Sequence, residues 1–340
     1  MTLETPHAGT VAGMGIPEGL TVIVGGGFHG KSTLLSAARG VYDHAPGDGR
    51  ERVVTRADGV VIRAGGMGGA WRAWISRRSS ARCSAARPRA STPTTRRAAR
   101  RRRRTSWRRW RWARCRLLIM DEDTCATNFL IRDARMQRLV PAERADHAVR
   151  GPRDLRAELG VSTLLVLDGG SGDYLGVADT VIWMDAYRPR EVTARAHAVA
   201  AEVGPPREVP PARPIGAPLE RACPTRPASA PSGAGGIGAG ARHEEISFGH
   251  EAIDLRAVEQ LVDPSQTRAI GGLLTHAVAR GYLDGRRTLA DLLALLDADL
   301  DRLGLDLLAQ RQGEHPGELA RPRMLEVAAA LNRLRTLRVR

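Results

Sequence analysis

Of the 52 basic residues in this chain one is a lysine, Lys31, and the other 51 are arginines. Under so strong a bias a lone lysine marks a place where a compact ammonium does what a planar guanidinium cannot. Lys31 stands in "GGGFHGKS", Gly25 to Ser32, which fits G-x-x-x-x-G-K-[ST]. In such a loop the glycines, here Gly25, Gly26, Gly27 and Gly30 with Phe28 and His29 between them, let backbone N–H groups turn inward around phosphate oxygens. Lys31 then reaches the β- and γ-phosphates, Ser32 ligates Mg2+, and Thr33 follows in the same turn. His29 has two readings, a contact to phosphate or an imidazole satisfied by the loop backbone.

Strands and helices must hold these groups in place. The β-branched run Leu20 to Val24 reads as a buried strand, and Ser32 to Arg39 as a helix whose N-terminus faces an anion. Further on, "RLLIMDEDTCATN" reads as a second strand, Leu117 to Met120, ending in Asp121, Glu122 and Asp123. Beside a phosphate loop, a carboxylate at a strand end holds Mg2+ and the next one orients a water. Asp121 is assigned to the metal and Glu122 to the water, with Asp123 next in line; the bland alternative is a solvated acidic turn. A third strand, Val161 to Leu167, leads into "DGGSGDY", and a fourth spans Thr180 to Asp185. Loops at the carboxyl ends of parallel strands face the ligand, which makes Ser171 and Asp173 candidates for sensing the γ-phosphate or members of a plain turn. Together these residues describe a nucleotide site with a place for Mg2+.

Whole phrases, "GMGIPEGLTVIVGGGFHGKSTLL", "GVYDHAPGDGRE", "LLIMDEDTCATNFLIRDARMQ", "GGSGDY…VADTVIWMDAYRP" and "ARPRMLEVAAALNRLRTLRV", resemble the bacterial predicted ATPases of the ABC class. The resemblance implies an ABC-type P-loop fold, α/β with a mostly parallel sheet and flanking helices. It also implies ATP and Mg2+ binding, ATP hydrolysis, and an ATP-dependent homodimer. It matches Lys31 and Ser32 to the phosphate loop, Asp121 and Glu122 to the second nucleotide motif, and "DTCATN" to a loop crossing the dimer interface. Members usually carry a further N-terminal region that is not found here. Where many ABC enzymes place a histidine after the third strand, this chain has Gly169, Gly170 and Ser171.

The formal charge of +15 would ordinarily suggest a polyanionic partner. It is concentrated between Gly66 and Arg116, with 18 arginines, no acidic residue and five of the six tryptophans; the rest holds 34 basic against 37 acidic side chains. The resemblance breaks between 65 and 116. Written in GC-rich codons and read one base out of register, "RTSWRRWRWA" becomes A-N-I-V-E-A-L-E-V-G, an amphipathic helix leading into "LLIMDED". A second gap at 145–153 yields to the same treatment. The tract is therefore read as out-of-frame text that removes the ABC signature segment. The competing reading is an arginine–tryptophan arm that binds nucleic acid by charge and stacking. An out-of-frame segment buries too little apolar surface to order itself, so Gly66 to Arg111 is expected to pack poorly and to leave strand Leu117–Met120 short of a neighbour.

The remaining organisation follows from composition. An ATPase domain is expected over 10–200, a Pro/Gly/Ala-rich linker over 205–243 with nine of the 20 prolines between Pro205 and Pro231, and a helical region over 246–340. Asp263-Pro264-Ser265 is a helix start, and "TLADLLALLDADLDRLG" repeats leucine at helical spacing for core packing. "RMLEVAAALNRLRTLRV" reads as a basic amphipathic helix. Cys83, Cys115, Cys125 and Cys223 show no metal-ligand spacing and are expected as reduced thiols. With no signal peptide and no run long enough to span a bilayer, a cytoplasmic protein without membrane contact is expected.

Overall fold

The computed structural model describes residues 1–7, 9–40, 53–62, 115–124, 150–169, 172–203, 224–225, 244–309, 316–334 and 337–339. The expectations for nearly all of the arginine tract, for the loop from Cys125 onward, for Ser171 and for most of 205–243 lie outside these residues.

The chain opens with a small exposed hairpin, β1 (Thr2–Thr5) and β2 (Gly9–Ala12). The central sheet is built from β3 (Leu20–Gly25), β4 (Gly59–Ile62), β5 (Leu117–Asp121), β6 (Ser162–Val166), β7 (Thr180–Asp185) and β8 (Arg188–Glu191). Its strand order is β4-β5-β6-β3-β7-β8, parallel throughout except for β8, which returns antiparallel to β7. Parallel strands need both faces covered, which is why β6 is buried along its whole length, polar Ser162 and Thr163 included. Alternate side chains serve opposite faces. Ile23, Val61, Ile119, Leu164 and Ile182 pack with Leu35 of α1 (Lys31–Ala38). Val22, Val60, Leu118, Leu165 and Val181 pack on the other face, with Leu155 of α2 (Arg150–Leu159) and Ala196 of α3 (Thr193–Val203). The expected α/β P-loop architecture, a mostly parallel sheet with flanking helices, is the one observed. Among the described residues no helix is long and apolar enough to cross a membrane.

The strand at Leu117–Met120 is not short of a neighbour: β4 pairs with it in parallel from Gly59↔Leu117 to Ile62↔Met120, and β6 flanks it on the other side. The partner lies ahead of the arginine tract. Parallel pairing joins segments distant in sequence, so the sheet closes over the anomalous stretch.

A second hydrophobic cluster gathers residues between 246 and 334. Besides the expected helices it holds a hairpin, β10 (Glu245–Phe248) and β11 (Glu251–Asp254), which the sequence reading did not name. Helix α4 (Pro264–Ala279) starts as expected: Asp263 accepts from Ser265 N at 2.8 Å, Pro264 stands in the first turn, and Gln266 completes a capping box. Helix α5 (Leu289–Leu303) is capped by Thr288 and Asp291, buries Leu289, Leu292, Leu293, Leu296 and Leu300, and ends at Gly304 with φ 66°. Between these helices buried Asp299 accepts from His276 Nε2 (2.9 Å), Tyr282 OH (2.7 Å) and Arg302 Nη2 (3.0 Å), and these donors hold its carboxyl down to about 2. Helix α6 (Met324–Arg333) is shorter than the amphipathic helix expected, and Glu326 through Leu331 are all buried, its charged residue included. Of the expected linker, Pro224–Thr225 (β9) pairs with Arg338–Val339 (β12).

The two clusters meet at the outer edge of β4, where unpaired backbone groups would otherwise lie open. Buried Gln260 substitutes for a neighbouring strand: its Oε1 accepts from Val61 N at 3.0 Å and its Nε2 donates to Gly59 O at 3.0 Å and Arg39 O at 3.3 Å. Arg323, paired with fully buried Glu326, donates to Ala57 O (2.6 Å) and Gly59 O (2.9 Å). Gln260→Ala strips Val61 N–H of its partner in a buried place. It should cost about 1–3 kcal/mol of stability, read as a lower urea midpoint at an unchanged slope. An unchanged midpoint would show that the Gln260 bonds to β4 add nothing to stability.

Candidate functional site

Two glycines make the loop between β3 and α1 sterically possible. Gly25 has φ 153°, and a Cβ there would lie 2.5 Å from Met184 O; Gly30 has φ 94°, and a Cβ there would meet Tyr187 Cδ1 at 2.8 Å. The loop passes through exposed Gly26, Gly27 and Phe28, the last at φ 62° and 98% exposed, before His29 turns it back. Gly30 is also the N-cap of α1 and brings no side-chain cap bond, so the first-turn N–H groups of Lys31, Ser32 and Thr33 have no capping side chain. Ser32 and Thr33 stand exposed at this end of the helix.

Lys31 is 6% exposed. An ammonium has three N–H donors, and all three are used: Gly25 O at 2.5 Å, Gly26 O at 2.9 Å and Asp168 Oδ1 at 2.8 Å. Asp168 follows β6 as Asp121 ends β5, and its side chain is 32% exposed. The sequence reading passed over it in favour of Ser171 and Asp173. The available signal was its place directly after a buried parallel strand adjacent to β3, the same logic that selected Asp121.

Asp168 also reaches the second motif. Its backbone N donates to Glu122 Oε2 at 2.6 Å, while Glu122 N donates to Val166 O at 3.1 Å. Lys31, Asp168 and Glu122 thus form one chain of bonds across the ends of β3, β6 and β5. Asp121 lies beside it. Its carboxyl is pushed above the usual range first by burial, and further by the carboxylates of Asp168, Asp123 and Glu259; the bond from Asp123 N at 3.3 Å works against the rise. A bound cation would act in the opposite sense to those carboxylates. Among the described residues no three His, Cys, Asp or Glu side chains come together as a metal cage. Mg2+ suits such a place, since it is usually held by one or two protein oxygens together with substrate phosphates. The hydroxyl of Ser32 and the carboxylate of Asp121 are oxygens of that kind.

His29 Nδ1 accepts from Ala186 N at 3.0 Å, and its carbonyl accepts from Tyr187 N at 3.1 Å. The imidazole is thereby tied to the turn between β7 and β8. Asp173 is half-buried in a short 3-10 helix, Gly172–Tyr174, whose Tyr174 belongs to the core.

A parallel α/β sheet with a glycine loop and buried lysine leading into a helix, and carboxylates at the adjacent strand ends, defines a P-loop nucleotide-binding domain. The ABC_ATPase P-loop domain family matches residues 1–74 and 103–220, more than half of the chain, and the chain belongs to that family. Its match is interrupted over 75–102, a narrower break than the 65–116 read from the sequence. Residues 239–340 are similar to the MRB1590 C-terminal domain. No curated protein matches the chain. An ATP-binding role follows from the family.

Asp168→Asn leaves a hydrogen-bond acceptor but removes the counter-charge of a buried ammonium. The pair is half open to water, so the loss should fall between the values for exposed and fully buried pairs, about 1–3 kcal/mol. Denaturant unfolding of the nucleotide-free chain measures it, and an unchanged midpoint would show that the pair contributes nothing.

Proposed function

We propose that this protein is an Mg2+-dependent ATPase that converts ATP and water to ADP and phosphate. The observation behind this reading is the buried Lys31 ammonium at a glycine loop, held by two loop carbonyls and one half-exposed carboxylate. The carbonyls belong to the loop itself, whereas Asp168 carries an anionic oxygen that a phosphate oxygen can replace in kind. When the nucleotide binds, Lys31 exchanges Asp168 for the γ-phosphate, and the first-turn N–H groups of α1 donate to the phosphates. Ser32 and Asp121 are the residues to hold Mg2+, which when bound supplies charge neutralisation at the phosphates. Glu122, anchored through Oε2 to Asp168 N, directs its other oxygen to the attacking water. Ser171 and Asp173, which follow β6 in the sequence, are assigned to the γ-phosphate side. The domain limits 10–200 and 246–340 belong to the same reading, as does a homodimer closing around ATP in the family form that keeps its signature segment. Release of Asp168 from Lys31 reports the arrival of phosphate to the group that holds Glu122.

Lys31→Ala should abolish measurable Mg-ATP binding in calorimetry, and Lys31→Arg should fail as well. A planar guanidinium cannot place three donors tetrahedrally on Gly25 O, Gly26 O and a phosphate oxygen. Unchanged affinity in either variant would sink the assignment.

Binding and chemistry separate at the neighbouring residue. In a chain whose reading frame is restored across 65–116, Glu122→Gln should keep ATP affinity, lower phosphate release by about a hundredfold or more, and accumulate an ATP-bound dimer on size exclusion; the chain as given should show negligible hydrolysis. Undiminished phosphate release would move the water-holding role to Asp123.

A further inference from the structure

The turn between β7 and β8 has two residues, Ala186 and Tyr187, and both stand in the left-handed region at φ 47° and 66°. Hairpin turns of this kind favour Asn-Gly, and a Cβ at either position is disfavoured. The turn is nonetheless fixed against the phosphate loop by the two bonds to His29, through its Nδ1 and its carbonyl. That docking sets the Tyr187 ring against Gly30, the residue before Lys31, at a distance that leaves no room for a Cβ on Gly30. Yet Tyr187 is 66% exposed. A ring serving only to fill the core would be covered, whereas this one rests an edge on the loop and leaves most of its surface in water.

Sheet order gives that surface a direction. The groups assigned to the γ-phosphate end, Asp168, Glu122 and Asp121, lie at the ends of β6 and β5, on one side of β3. Tyr187 lies beyond β7, on the other side of β3. A nucleotide whose terminal phosphate meets Lys31 on the β6 side must extend its ribose and base away from those carboxylates, toward β7.

We propose that Tyr187 is the wall on which the base of the bound nucleoside triphosphate lies, held at the phosphate loop by the strained Ala186–Tyr187 turn. The inference rests on the reading of Lys31 as the phosphate-binding lysine and extends it to the opposite end of the substrate. Ring stacking is tolerant of base identity because every base presents a π face. Tyr187 therefore strengthens binding of adenine and guanine nucleotides alike and leaves the choice between them to other groups.

The test titrates the full-length chain with Mg-ATP, Mg-GTP and Mg-tripolyphosphate, which has phosphates and no base, in calorimetry. Tyr187→Ala should weaken ATP and GTP by about tenfold each, the loss of one base stack, and leave tripolyphosphate unchanged. Tyr187→Phe should bind all three like the unaltered chain. Intact tripolyphosphate binding in Tyr187→Ala also certifies a folded loop. Unchanged ATP affinity in Tyr187→Ala would overturn the proposal. Equal weakening of ATP and tripolyphosphate would overturn it too, by showing that the ring supports the loop instead of a base. Failure of the unaltered chain to bind either ATP or tripolyphosphate would sink the Lys31 reading, and this one with it.

Discussion

A cation removed from water must be compensated, and much of the site follows from how Lys31 meets that requirement. Its ammonium is surrounded by two carbonyls of its own loop and by the Asp168 carboxylate. The carbonyls can approach only because Gly25 and Gly30 take backbone conformations closed to other residues, and because Met184 and Tyr187 leave no space for side chains there. The carboxylate is present only because β6 lies next to β3 and ends level with it, Ile23 pairing with Val166. The strand order and the ion pair are therefore one constraint seen at two scales.

The same carboxylate sits in a local excess of negative charge. Burial, together with the nearby carboxylates of Asp168, Asp123 and Glu259, raises the cost of ionising Asp121, while Lys31 pairs with Asp168 and Arg39 with Glu259. Such a cluster favours cations, and it places Glu122 where its orientation depends on the backbone of Asp168 and not on a charge partner. A hydrogen bond from a backbone N–H fixes direction without neutralising the carboxylate.

What could be read from the sequence follows the range of the interactions involved. The phosphate loop, its strand and helix, and the strands at Leu117, Val161 and Thr180 announce themselves through local pattern, and the structure has them within a residue or two. The helix start at Asp263-Pro264 was legible for the same reason. Strand β4 was not, because four apolar residues acquire meaning only from a partner 58 positions away, across the arginine tract. Asp168 was passed over because its significance lies in reaching Lys31, 137 residues distant in the chain. The turn at Ala186–Tyr187 carries neither of the residues that usually mark such a turn, so only the backbone angles disclose it. The hairpin at 245–254 shows alternation over strands of four residues, too short a signal beside the long leucine repeats that follow.

Helix α1 is eight residues long, about 12 Å from end to end. Lys31 stands at its first position, and just past its last one Gln260 holds the Arg39 carbonyl while Glu259 grips the Arg39 guanidinium at 3.0 Å. So short a rod, clasped at both extremities, cannot tilt at the phosphate end without dragging at the other. The hydrophobic cluster behind Gln260 is thereby geared to the phosphate loop: a rotation of a few degrees at the loop becomes a sideways pull on the edge of β4 and on the unit that caps it.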